Sequence, residues 1–87
     1  MDLSVVIPVY NEEESIHELT GWIEKVCKEE KLAFEIIYID DGSSDSSWNK
    51  IVTLGEKKHF VKGFRFRRNY GKGAALYTGF NEATGDV

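Results

Sequence analysis

Eighty-seven residues, 41% of them hydrophobic and 30% charged, amount to one small domain or a piece of a larger one. A chain this short buries only about 60–65% of its extended surface, so its core is thin. The net charge of -4 argues against nucleic acid as a partner, and no apolar run approaches the roughly 20 residues that cross a bilayer.

The lone cysteine, Cys27, cannot form an internal disulfide, and "MDLSVVIPVYNEEE" lacks the basic lead and long apolar centre of a signal peptide. Both features point to a reducing, cytoplasmic location. The charges are unevenly spread. Glu12, Glu13, Glu14, Asp40, Asp41 and Asp45 fall in the first half, whereas Arg65, Arg67, Arg68 and Lys72 bunch later.

"LSVVIPVY" (3–10) is nearly continuous apolar sequence, the pattern of a strand covered on both faces. Asn11 reads as the N-cap of a first helix, with Glu12, Glu13 and Glu14 in the turn where the helix dipole favours negative charge. Ile16, Leu19, Ile23, Val26 and Cys27 recur at helical spacing and mark its inner face. "FEIIYI" (34–39) is a second buried strand, and "DDGSSD" is the turn behind it. A second, shorter helix carries Trp48, Ile51, Val52 and Leu54 inward and stops near Gly55. "FVKGFRF" (60–66) predicts strand three, with Phe60, Phe64 and Phe66 on one face. After "RRNYGKG" a third helix points Leu76, Phe80 and Ala83 inward, and Gly79 allows close approach to the sheet. Val87 reads as the first residue of a fourth strand beside strand one.

The fold class is therefore α/β: a three-layer, Rossmann-like half, β-α-β-α-β-α, with a parallel sheet in the order 3-2-1. Strand one is left as an apolar edge, which offers a contact for dimerisation.

In open parallel sheets ligands bind outside the carboxyl ends of the strands. Here those ends carry "PVYNE", "DDGSSD" and "RRNYGKG". An ionised carboxylate only accepts hydrogen bonds, so Asp40 or Asp41 can take the ring N–H of uracil or guanine, while cytosine offers no matching donor. Tyr10 supplies a ring face and Pro8 a rigid wall. Arg65, Arg67, Arg68, Lys72 and the N–H groups opening helix three can meet phosphates, and a diphosphate among so many acids calls for a divalent cation.

"VVIPVYNEEESI", "EIIYIDDGSSDSSW" and "RNYGKGAALYTGF", in this order and spacing, resemble the inverting nucleotide-sugar glycosyltransferases of family two, with the GT-A fold. The third stretch looks most like the branch that makes polyprenyl-phosphate sugars, such as dolichol-phosphate mannosyltransferase. The resemblance covers essentially the whole chain. It implies a single nucleotide-sugar-binding half-domain over 1–87, the N-terminal piece of a truncated GT-A domain, with UDP- or GDP-sugar as donor. Pro8, Tyr10 and Glu12 then line the nucleoside site, Asp41 contacts the base, Asp40 supports the turn, and Gly71, Lys72 and Gly73 approach the diphosphate. Mg2+ or Mn2+ is implied as the parent enzyme's cofactor. The family's Asp-x-Asp metal motif and catalytic base fall beyond "GDV", so these residues hold no catalytic or metal-ligating group and the chain alone is expected to be inactive. The acceptor implied is a polyprenyl phosphate or a saccharide, at the cytoplasmic face of the membrane.

Other readings fit poorly. A dinucleotide-binding turn needs G-x-G-x-x-G where "YNEEE" stands, and a P-loop needs a glycine at Phe66 and Ser or Thr at Gly73. "DDGSSDSSWNK" lacks the distant glutamate of a calcium loop. Trp22 and Trp48 read as packing groups, and Glu13 and Glu14 as a plain helix start. The reading from a different class is a non-catalytic nucleotide-binding or interaction module that dimerises through strand one.

Overall fold

A computed structural model describes residues 1–85 of the chain. Strands β1 (Leu3–Val9), β2 (Phe34–Asp40) and β3 (Val61–Arg65) alternate with helices α1 (Ile16–Glu29), α2 (Ser47–Lys57) and α3 (Lys72–Glu82). The sheet is parallel with order β1-β2-β3, as the short connections predicted. β2 is the central strand, and its side chains are buried on both faces: Ile36 and Tyr38 on one, Ile37 and Ile39 on the other. That explains why "EIIYI" reads as continuous apolar sequence.

The two faces make two cores. Ile16, Ile23 and Cys27 of α1 and Ile51 and Leu54 of α2 pack with Ile36, Tyr38, Phe60 and Val61. On the opposite face Ala75 of α3 packs with Ile37 and Ile39, flanked by Val6, Phe64 and Phe66. A layer of helices thus covers each side of the sheet. The Tyr38 phenol is buried with its polar end satisfied, 2.6 Å from the Thr20 hydroxyl and donating to the Ile16 carbonyl at 3.4 Å. α3 approaches closely enough that a Cβ on Gly79 would overlap the Val6 side chain, which is the role expected of that glycine.

Several local expectations are corrected. α1 begins after Ser15 rather than at Asn11, whose backbone is left-handed (φ 51°) and whose side chain serves another loop. Val26 and Trp22 of α1 are exposed, Trp22 at 64%. At about 100° per residue they stand roughly 90° and 130° from the stripe formed by Ile16, Thr20, Ile23 and Cys27. Val52 of α2 is exposed for the same reason, and Ser47 takes a buried place instead. Gly55 does not stop α2, which runs on to Lys57 and ends where Lys58 becomes extended. Phe60 precedes β3, so the strand alternation has not begun and its ring joins the α1–α2 core, away from Phe64 and Phe66. Phe80 is 52% exposed, because α3 meets the sheet through its small residues Ala75 and Gly79.

After α3 the chain returns to the amino end of the sheet. Thr84 donates twice to Glu35, and the Gly85 N–H donates to the Ser4 hydroxyl at 2.8 Å. The expected start of a fourth strand at Val87 lies outside the described residues.

Candidate nucleotide-binding site

Parallel register sets Val9, Asp40 and Arg65 in one row at the carboxyl edge of the sheet. The residues that follow them open three neighbouring loops. The ladder extends one step further, with Asp41 N–H on the Val9 carbonyl and Phe66 N–H on the Asp40 carbonyl, both at 2.8 Å.

Side chains of the second loop hold the first. Ser43 Oγ accepts from Asn11 N–H and Ser47 Oγ from Glu12 N–H, each at 2.9 Å, and Asp45 Oδ2 accepts from Glu13 N–H at 3.3 Å. In return Asn11 Oδ1 accepts from the N–H groups of Ser44 and Asp45. Hydrogen bonding by Ser47, then by Glu13, holds the Asp45 carboxyl below the usual carboxylate range despite some desolvation. "NEEE" is therefore a loop pinned to "SSDSS", not the first turn of a helix.

The two adjacent acids have different jobs. Asp40 is fully buried; its Oδ1 accepts the Ser43 N–H at 3.1 Å and its Oδ2 lies 3.7 Å from Arg65 Nε. Asp41, only 4% exposed, accepts the Tyr70 N–H on Oδ1 at 2.7 Å and the Gly71 N–H on Oδ2 at 2.9 Å. One acid shapes its own turn and the other ties down the third loop.

Between the three loops lies a cleft of about 300 Å³, lined by Pro8, Val9, Tyr10, Glu12, Asp41, Asn69, Gly71 and Lys72. Of the eight residues that the resemblance places in the site, six, Pro8, Tyr10, Glu12, Asp41, Gly71 and Lys72, surround it, and Gly73, one residue into α3, does not. Nor does Asp40, consistent with its turn-supporting role. Val9 and Asn69 line the cleft although neither stood out in the sequence. Asn69 sits inside a run dominated by cations, and Val9 reads as core. Arg67, Arg68 and Lys72 form no ion pair among the described residues. A larger cleft, about 370 Å³, opens at the opposite end between Phe34, Phe60, His59 and Lys62. That is the amino end of the strands, away from where open parallel sheets bind ligands.

The family described as glycosyl transferase family 2 matches residues 4–87. The chain belongs to that family. Among curated relatives, the undecaprenyl-phosphate 4-deoxy-4-formamido-L-arabinose transferase of Pseudomonas fluorescens is 44% identical over 86 residues, which is 98% of this chain and 25% of the relative. The enzyme of the same name from Proteus mirabilis is 44% identical over 87 residues, covering 26% of its length. This family 2 chain thus spans about a quarter of the length of the curated relatives it matches, both of which carry undecaprenyl phosphate in their names. Among solved structures, a mannosyltransferase from Pyrobaculum calidifontis in complex with GDP-Man and Mn2+ superposes with a TM-score of 0.76 at 26% identity. The match covers 94% of this chain and 24% of that one. The Rossmann-like half seen here thus has the architecture of part of a GT-A glycosyltransferase fold.

Among the described residues no three His, Cys, Asp or Glu side chains form a group able to hold a metal ion. The described residues thus offer no donor set that fits Mg2+ or Mn2+. No described helix is long and apolar enough to cross a membrane.

Proposed function

We propose that the cleft at the carboxyl end of the sheet binds the nucleoside diphosphate of a nucleotide sugar. Residues 1–87 are then the donor-side half-domain of a glycosyltransferase. The observation that carries this reading is the convergence of Pro8, Tyr10, Glu12, Asp41, Gly71 and Lys72, from three separate loops, around one cleft. A volume near 300 Å³ is at the small end of ligand clefts and suits a nucleoside with part of its phosphates. Tyr10 is half exposed and gives a base a face to stack on. The Asp41 oxygens keep lone pairs beyond those used by Tyr70 and Gly71, so the acid can still accept a ring N–H of uracil or guanine. Lys72, at the first position of α3, supplies a cation for phosphate beside the helix N-terminus.

The donor is a UDP- or GDP-sugar, and the acceptor a polyprenyl phosphate, which puts the parent protein at the cytoplasmic face of a membrane. The names of the Pseudomonas and Proteus relatives support that acceptor class. The Pyrobaculum enzyme's GDP-Man and Mn2+ support the donor class and a divalent cofactor whose ligands come from residues other than the described ones. The 87-residue chain alone transfers no sugar, which a radiolabelled transfer assay checks. Amide-shift mapping with UDP, GDP and CDP tests the site. The reading expects changes at Pro8–Glu12, Asp40–Ser43 and Asn69–Gly73, with CDP weakest; equal response to CDP would remove the base-reading role of Asp41.

A second reading, an interaction module joined through β1, draws on the one-sided pairing of that strand among the described residues. A dimer at micromolar concentration, dissociated by a Val5→Lys substitution, would favour it.

A further inference from the structure

We propose that Asp41, with Gly42 beneath it, is a positioning residue: a clamp that holds the 68–71 loop closed and so builds the phosphate-side wall of the cleft. The inference rests on the nucleotide reading of that cleft but assigns Asp41 a task separate from contact with the base.

The carboxylate receives N–H groups from two consecutive residues, one on each oxygen, at 2.7 and 2.9 Å. These are short, charge-assisted bonds to an acid that is itself buried. The loop has little else to hold it. Phe66 N–H still belongs to the sheet ladder, and the Gly71 carbonyl already accepts the Ala75 N–H of α3. Between them, among the described residues, the two bonds to Asp41 are the only hydrogen bonds that the loop makes. Tyr70 also meets edge-on the ring of Phe66, which packs beside Ile37 and Ile39, and Arg68 lies over Tyr70; these contacts hold the Tyr70 side chain but leave the loop backbone to Asp41.

The turn beneath completes the clamp. Gly42 has φ 78°, and a Cβ there would overlap the Arg68 carbonyl carbon and stand 2.6 Å from Asn69 N. The loop backbone therefore rests directly on a residue that must lack a side chain. Asn69, Gly71 and Lys72 line the wall opposite Pro8–Glu12; α3 fixes Lys72 from one side, and the clamp fixes the approach through Asn69 and Gly71 from the other. Asp41 thus affects affinity for any diphosphate, whatever the base.

Amide hydrogen exchange on the nucleotide-free chain tests the clamp first. Tyr70 and Gly71 should exchange at least about tenfold more slowly than Arg68 and Asn69, and Asp41→Asn should remove that difference. Exchange of Tyr70 and Gly71 at the rate of their neighbours in the wild-type chain would overturn the proposal, and this holds even if the variant fails to fold. Binding then separates positioning from base reading. Positioning predicts that Asp41→Asn and Gly42→Ala each weaken CDP and inorganic pyrophosphate at least about fivefold, and UDP by no less, in protein whose helical circular dichroism is unchanged. Loss confined to UDP, with pyrophosphate and Gly42→Ala unaffected, would show a base-reading acid alone and contradict the clamp. A wild-type chain that ignores UDP while Tyr70 and Gly71 are protected would sink the nucleotide reading and leave the clamp on the loop standing.

Discussion

Glu35 Oε2 accepts both the N–H and the hydroxyl of Thr84, at 2.8 and 2.7 Å, across 49 residues of sequence. The same oxygen takes the Ser4 hydroxyl at 2.5 Å, and Oε1 meets the Lys62 ammonium at 2.8 Å. This buried carboxylate gathers β1, β3 and the segment after α3 at the amino end of the sheet. Burial alone would raise its pKa, but Lys62, Ser4 and Thr84 together outweigh that and hold it at about 2.

A depressed folded-state pKa gives stability that is complete above the unfolded value, 4.5, and lost as pH falls through about 2. The urea midpoint should therefore decline between those two pH values. Glu35→Gln should lower stability at pH 7 and flatten part of the decline. Glu24, held down chiefly by Lys28 and Lys58, and Asp45 account for more of it. An unchanged slope in the variant would contradict the network.

Gly79→Ala puts a methyl group into the Val6 side chain. Either α3 lifts from the sheet or Val6 changes rotamer, and overpacking of this kind costs about 1–3 kcal/mol. The partner change Val6→Ala should restore part of the loss in a double-mutant cycle. Full additivity of the two would argue against their contact.

Tyr38→Phe deletes the hydroxyl shared by Thr20 and the Ile16 carbonyl. The Thr20 hydroxyl still bonds that carbonyl at 2.8 Å, so nothing is left wholly unpaired. A loss of about 1 kcal/mol in denaturant unfolding is expected, well below the cost of stranding a buried donor.

Asn11 separates conformation from bonding. Asn11→Gly keeps the left-handed backbone but loses the acceptor for Ser44 and Asp45, whereas Asn11→Ala loses both. Alanine should therefore be the less stable by roughly 1 kcal/mol. Both should weaken UDP binding, since the loop carrying Tyr10 and Glu12 is no longer tied to the second loop.

Much of this was legible in the letters because the sheet is buried on both sides. Continuous apolar runs at 3–9 and 34–39 mark strands regardless of how helices pack on them, and short connections dictate parallel order. Orientation around each helix was harder to read. Val26, Val52 and Phe80 are apolar yet exposed, because a stripe only three or four residues wide leaves apolar neighbours just outside it. Asn11 followed by three glutamates is a good helix start in isolation. Its true partners, Ser43 to Ser47, are more than thirty residues away, beyond the reach of a local pattern. The same holds for Asp41, whose position at a strand end was clear but whose bonds to Tyr70 and Gly71 depend on tertiary structure.

Locating a bound base is the most direct test of the account. Intermolecular NOEs between UDP and the labelled chain should connect uracil or ribose protons to Tyr10 and Pro8. NOEs instead to Phe34, Phe60 or His59, at the amino-end cleft, would show that the three loops at the carboxyl edge do not form the nucleotide site.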